Sequence, residues 1–170
     1  MKTEILVSLL VILCLATFML LPDFINGLGV SEKNLISHDI ESSRVPDDYE
    51  SIIAVNDNIA GMLHYNREKT DYDFSIYKKH SGLHFGYFFC TGGSVYDIES
   101  NVAVFSDIYD DETILISLNK PKISRIEIYG EENQIVSIDE NEPFVIIVPP
   151  KAEFKMFETN GNEVEYRTLP

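Results

Sequence analysis

The stretch from Thr113 to Glu158 reads TILISLNKPKISRIEIYGEENQIVSIDENEPFVIIVPPKAEFKMFE, and it decides the fold. It contains short runs rich in Ile, Val and Phe, which are residues favoured in β-strands. Short strands at roughly ten-residue spacing are typical of an antiparallel β-sandwich or barrel. Turn residues separate the runs: Asn119-Lys120-Pro121, Gly130 to Asn133, Asp139 to Asn141 and Pro149-Pro150.

Strand-like segments also flank this stretch. Tyr72, Phe74 and Ile76 alternate with polar residues, and an aromatic run from Leu83 to Cys90 follows the turn pair Ser81-Gly82. We therefore expect a β-hairpin here. The other predicted strands are Val102 to Phe105, Thr113 to Leu118, Ile123 to Tyr129, Gln134 to Ile138, Pro143 to Val148, Glu153 to Glu158 and Glu163 to Thr168.

The last two of these strands predict a hairpin with a defined register. A two-residue type I′ turn at Asn160-Gly161 would place Phe157 opposite Val164 and Lys155 opposite Tyr166. It would also bring Glu158 opposite Glu163, which is unfavourable in a buried position. We therefore expect the face carrying Phe157, Val164 and Tyr166 to pack inward.

A short helix is expected before the strands. Pro46 suits a first helical turn, and Asp47 and Asp48 suit the positive end of a helix dipole. Apolar residues from Ile52 to Leu63 follow at rough helical spacing. The predicted helix begins at Pro46 and ends before Gly61.

The N-terminal run from Ile5 to Leu21, ILVSLLVILCLATFMLL, contains no charged residue. Its length favours a transmembrane anchor over the shorter apolar core of a signal peptide. The alternative is cleavage after Gly29, which would release the protein. We predict an anchor or signal peptide at residues 1–21, a polar tether at 22–46 and a β-rich domain at 47–170. The expected location is the cell membrane, with a single pass and the C-terminal domain outside.

The predicted fold is thus a mainly β domain, an antiparallel sandwich or barrel with one short helix, preceded by a transmembrane helix. The chain has 13 Lys and Arg against 28 Asp and Glu, a net charge of −15. This charge repels phosphates, which excludes a general nucleic-acid binder. With only Cys14 and Cys90, the outer domain has no disulfide framework, and Cys90 is expected to be buried.

Histidines and carboxylates are the candidate chemical groups of the sequence. His80 and His84 straddle Ser81-Gly82, and a hairpin closed by that pair would place His84 opposite Lys79 and the two imidazoles on opposite faces. We therefore predict no metal, no cofactor and no assigned catalytic residue. The alternative is an envelope hydrolase that uses Asp, Glu and His side chains. It would require convergence in a cleft of at least two of Asp71, Asp73, His64, His84 and Asp97.

The aromatic run also has two interpretations. Phe85, Tyr87 and Phe89 alternate as one inward face should, and Gly86 predicts a bulge or a close crossing of two chain segments. Exposed on a strand, the same aromatic rings could instead stack on a sugar or a partner strand.

The strand FSIY at Phe74 to Tyr77, the run GLHFGY at Gly82 to Tyr87 and ISRIEI at Ile123 to Ile128 give a resemblance. Residues 60–168 resemble small uncharacterised cell-envelope proteins of Bacillus-type Firmicutes. The resemblance implies an anchor followed by a hairpin and a β-sandwich-like half, and it implies no activity.

We therefore expect a non-enzymatic interaction or accessory module of the envelope. Its partner would be an envelope protein or an anionic envelope surface. The segment from His64 to His84 is the one that becomes more positive as the pH falls through about 6.5. The candidate ligand-binding residues are Lys78, Lys79, His80 and His84.

Overall fold

The computed structural model describes residues 28–79, 86–94, 102–106, 112–164 and 166–168. The predicted N-terminal anchor lies outside these residues. Within them, no helix is both long and apolar enough to cross a membrane. After a short 3-10 helix at Glu32–Asn34, the elements are α1 (Leu35–Ser43), β1 (Glu50–Val55), β2 (Ile59–Tyr65), β3 (Tyr72–Lys79), β4 (Tyr87–Gly93), β5 (Ala103–Ser106), β6 (Thr113–Ser117), β7 (Ile123–Tyr129), β8 (Gln134–Ser137), β9 (Phe144–Val148), β10 (Glu153–Glu158) and β11 (Arg167–Thr168).

The strands form three sheets that stack on one another. Their orders are β1-β2-β3-β4 in the first sheet, β11-β5-β6-β9 in the central sheet and β10-β7-β8 in the third. All strand pairs are antiparallel except β11 with β5, which is parallel. The mainly β fold with one short helix is confirmed, and it is consistent with a β-sandwich.

The central sheet is buried on both faces. Ile114 and Ile116 of β6 pack toward the first sheet, whereas Leu115 packs toward the third. Burial on both faces explains why β6 and β9 read as nearly continuous apolar runs, because neither face has to meet water. Each fully buried Ile or Leu contributes roughly 1.5–3 kcal/mol through the hydrophobic effect.

The predicted helix from Pro46 to Gly61 is wrong, because this segment forms the β1–β2 hairpin. The Oδ1 atom of Asn56 accepts hydrogen bonds from the backbone N–H groups of Asn58 and Ile59, both at 2.9 Å, which closes the turn. The β-branched residues on either side favour strands over a helix. The actual helix, α1, lies earlier, inside the segment predicted to be a tether, and its Leu35 is fully buried.

The predicted pairing of β3 with β4 is confirmed, but its register is not that of a two-residue turn. Lys79 lies opposite Tyr87, not opposite His84, and the intervening residues 80–85 lie outside the described part of the chain. Gly86 confirms the predicted close crossing. Its φ is +90°, and a Cβ atom there would lie 2.7 Å from the backbone of Gly29.

The last hairpin is shifted by one residue from the prediction. Phe157 pairs with Glu163, not with Val164, because the N–H of Gly161 bonds the carbonyl of Glu158 and makes the turn one residue longer. Met156 is therefore the fully buried residue of β10, while Phe157 is only partly buried. Val164 still packs on the core, but Tyr166 is exposed.

Candidate functional site

A hydrogen-bonded polar network lies between α1 and the first sheet. His64 donates from Nε2 to Oδ2 of Asp39 over 2.7 Å, and both side chains have 0% exposure. The Nδ1 atom of His64 lies 2.7 Å from the hydroxyl of Ser51. Tyr77 donates to the other carboxylate oxygen of Asp39 over 2.8 Å.

The fold brings these residues together through strand register and helix spacing. Ser51, His64 and Asp73 are cross-strand neighbours on β1, β2 and β3, so they share the face of the sheet that α1 covers. Asp39 lies four residues after Leu35, which puts both on the sheet-facing side of α1. The helix ends at Arg44, whose φ of 55° is the left-handed conformation of a helix C-cap.

The two carboxyl groups near His64 have opposite electrostatic character. Burial alone would raise the pKa of Asp39, but hydrogen bonds from His64, Tyr77 and Ser75 outweigh it and lower the pKa. The pKa of Asp73 is raised, first by burial and then by the nearby charge of Asp39. One oxygen of Asp73, Oδ1, is buried without a hydrogen-bond partner.

The network connects a surface hydroxyl to a buried base and a buried carboxylate. Because Asp39 favours its charged form, Nε2 of His64 donates to it, and in the neutral tautomer with this hydrogen on Nε2, Nδ1 accepts the hydroxyl proton of Ser51. Ser51 is exposed on β1, an edge strand of the first sheet. Chemically, this is the connectivity of a serine nucleophile with its general base and orienting acid.

The backbone of Ser51 has a second relevant property. Asn56 N–H bonds the carbonyl of Ile59, which identifies these two as a hydrogen-bonded pair of the β1–β2 ladder. Alternation along the ladder then makes Ser51 and His64 a non-hydrogen-bonded pair. The N–H of Ser51 therefore points away from β2, toward the outer edge of the sheet.

Of the four predicted ligand-binding residues, the structure describes Lys78 and Lys79, while His80 and His84 lie outside the described residues. Lys78 and Lys79 are consecutive on β3 and so project from opposite faces. The Nζ atom of Lys79 is 3.9 Å from Oδ1 of Asp57 and 5.6 Å from the ring centre of Tyr87.

The basic charges of this hairpin occupy two separate places. Lys69 precedes β3 and pairs with Glu142 over 3.5 Å, whereas Lys79 lies at the far end of the strand. An eight-residue strand is about 25 Å long, so Lys69 and Lys79 do not form one patch.

The predicted convergence of titratable residues occurs in part. His64 and Asp73 are neighbours, but Asp71 accepts a hydrogen bond from Tyr49 instead, and this bond raises the pKa of Tyr49 to about 12. His84 and Asp97 lie outside the described residues. Among the described residues, no group of three or more His, Cys, Asp or Glu side chains is placed to hold a metal ion.

Sequence reasoning missed Asp39 and Ser51 and misjudged two other residues. Asp39 lies in the segment that the sequence predicts to be a polar tether; the apolar residues Leu35, Ile36 and Ile40 around it are the signal for an amphipathic helix. Cys90, expected to be buried, is exposed. Phe89, expected to pack inward, is 57% exposed, although its ring contacts Tyr77 edge to face.

Comparisons of the chain with protein-family models, with curated proteins and with solved structures found no match.

Proposed function

We propose that this protein is a membrane-anchored extracytoplasmic β domain that serves as a non-enzymatic interaction or accessory module of the cell envelope. The observation that carries the proposal is the pairing of Val30 with Tyr87, in which each backbone N–H bonds the other carbonyl over 2.8 Å. The described β domain therefore begins only a few residues after the uncharged run from Ile5 to Leu21. An apolar segment joined so directly to a folded acidic domain suits an anchored protein.

Fractionation of native cells with N-terminal sequencing tests the anchor. The proposal predicts that the protein stays in the membrane fraction after alkaline carbonate extraction and that its N-terminal segment is retained. Recovery in the medium with Val30 as the first residue would show a cleaved, secreted protein instead.

For the partner, we propose an envelope protein or an anionic envelope surface contacted at the Lys78–Lys79 end of β3. Lys78 and Lys79 supply two cationic groups at this end of the strand, and anionic polymers attract such groups. The sequence-based candidate set also includes His80 and His84, and their protonation would strengthen such binding as the pH falls through about 6.5.

Binding of poly(glycerol phosphate) to the full-length chain in a non-ionic detergent measures this contact. We expect tighter binding at pH 5.5 than at pH 7.5 and a loss of binding with rising salt. The double variant Lys78→Glu with Lys79→Glu should abolish binding. The matched control, which replaces Arg67 and Lys69 at the other end of β3 with Glu, should leave binding unchanged. Equal effects of the two double variants would contradict a contact at Lys78 and Lys79.

A second candidate function, an esterase-type hydrolase, is favoured by one observation, the connection of Ser51 through His64 to Asp39. In this mechanism Oγ of Ser51 attacks the carbonyl carbon of an ester while its proton passes to Nδ1 of His64. That proton then goes to the departing alkoxide, which leaves as an alcohol, and water hydrolyses the acyl-serine. The N–H of Ser51 at the sheet edge would donate to the developing oxyanion.

Reaction with p-nitrophenyl acetate and with a fluorophosphonate probe tests the hydrolase. If the protein is a hydrolase, the fluorophosphonate probe labels Ser51. This labelling should be lost in both Ser51→Ala and His64→Gln. The matched control is Ser37→Ala, because Ser37 is an exposed serine on α1 that bonds only a local carbonyl. Absence of labelling at Ser51 in the folded wild-type chain would remove this candidate.

A further inference from the structure

One corner of the first sheet combines exposed apolar side chains with the point where the chain enters the domain. Leu28 is 45% exposed and Phe89 is 57% exposed, and each lies two residues from the Val30–Tyr87 pair. We call Leu28, Lys79 and Phe89 the entry corner. Lys79 belongs to it because it lies directly opposite Tyr87 on the neighbouring strand.

The entry corner is firmly attached to the sheet. A Cβ atom on Gly29 would lie 2.7 Å from the ring of Phe88 and 2.8 Å from the backbone of Gly86 and Tyr87. A side chain at residue 29 would clash at these distances, so glycine is needed there and residues 28–30 lie directly against β4. The position of Leu28 is thereby set by the domain and not by a loose tether.

The length of chain before the corner limits its distance from the apolar run. Only residues 22–27 separate Leu21 from Leu28. Even a fully extended chain spans at most about 3.6 Å per residue, so Leu28 lies within roughly 25 Å of the end of that run. The third sheet is separated from the first by the central sheet, at about 10 Å for each stacked layer.

We propose that the entry corner faces the membrane and contacts the lipid headgroup region, which orients the domain with its third sheet outward. This inference rests on the anchored form of the proposed function. Leu28 and Phe89 supply apolar side chains for the interface, and Lys79 supplies a cation for lipid phosphates. The Nζ atom of Lys79 lies 3.9 Å from Oδ1 of Asp57, and the charges of Asp57 and Glu32 both act on the adjacent Tyr87. The contact is therefore mainly apolar and depends only weakly on salt.

Tryptophan reporters test this orientation, because the chain contains no Trp and each introduced indole is the sole one. The full-length variants Leu28→Trp and Phe89→Trp are reconstituted into vesicles of phosphatidylethanolamine and phosphatidylglycerol that carry a headgroup nitroxide. The matched control is Ile135→Trp on β8, an exposed apolar position in the third sheet. All three positions are exposed, so the substitutions leave the core intact.

We expect quenching of the two entry-corner reporters to exceed that of the β8 reporter by roughly threefold or more, together with a shift of their emission to shorter wavelength. Equal quenching of all three, or stronger quenching at residue 135, would overturn the orientation. Alkaline extraction of the same vesicles separates the two proposals. Protein that is released contradicts the anchor, whereas protein that is retained with unquenched entry-corner reporters contradicts only the lipid contact.

Discussion

Asp39→Asn and Asp73→Asn should change stability in opposite directions. Both substitutions keep the shape of the side chain and remove one negative charge from a chain of net charge −15. Their effects on overall charge repulsion are therefore the same. What differs is the environment of each carboxylate on either side of His64.

Asp39 is stabilised in its charged form by His64 at 2.7 Å and Tyr77 at 2.8 Å. With Asn at this position, His64 can exchange its tautomer and keep a hydrogen bond, but both bonds become neutral. Bonds to charged groups are worth about 1.5–3 kcal/mol and neutral ones about 0.5–1.5, so the loss over two bonds is about 2 kcal/mol. For a domain of this size, the melting temperature should fall by roughly 4–8 °C.

Asp73 carries a buried oxygen without a partner, and burial raises its pKa. The folded state therefore disfavours the charged form of this group relative to the unfolded chain. Asp73→Asn removes the charge, so we expect a gain of about 1 kcal/mol in the free energy of unfolding. The assay is thermal and urea unfolding of the full-length chain in detergent, followed by circular dichroism.

The pH dependence gives an independent check. The pKa of Asp39 is lowered in the folded state, so its contribution to stability is present above the unfolded value of 3.8 and is lost as the pH falls below it. The wild type should therefore lose stability below about pH 4 more steeply than Asp39→Asn. A shift of both variants in the same direction at pH 7, or an unchanged melting temperature for Asp39→Asn, would refute the roles assigned to these two carboxylates.

Two glycine substitutions provide further tests of local geometry. Gly161→Val should lower stability by about 1 kcal/mol or more, because φ there is +86° and a β-branched residue resists this conformation, whereas Gly161→Asn should cost much less. Gly86→Ala should remove the hydrogen-exchange protection of the Val30 amide, whereas the control variant Gly130→Ala should leave that protection unchanged. The φ of Gly86 is +90° and its Cβ would meet Gly29, whereas Gly130 meets only Ala152 at 3.2 Å. Protection of Val30 that survives Gly86→Ala would contradict the tight attachment of the entry corner.

The sequence predicts strands well where a single segment carries its own pattern. Ile123–Tyr129 and Glu153–Glu158 were predicted with their observed bounds, because turn residues delimit them on both sides. Register was harder to predict, since it depends on turn geometry more than on the strands. One extra residue in the turn at Gly161 exchanged the inward positions of Phe157 and Met156.

The β1–β2 hairpin shows how two strands can imitate a helix. Apolar residues on both faces of a buried hairpin recur at intervals that overlap the helical period, and β2 is buried along its whole length. The turn chemistry of Asn56 and the β-branched residues on either side favour the hairpin, but these signals weigh little in a pattern of many apolar residues.

The polar network could not be predicted from the sequence, for a different reason. Asp39 and His64 are 25 residues apart in the chain and belong to a helix and a strand whose packing no local pattern encodes.

The same contacts have a consequence for the whole domain. By holding α1 on the first sheet, Asp39 fixes the chain a few residues after Val30, which is itself paired with Tyr87. Two attachments so close together leave the entering segment little freedom to rotate. The orientation that we propose at the membrane therefore depends on the buried carboxylate as well as on the short link before Leu28.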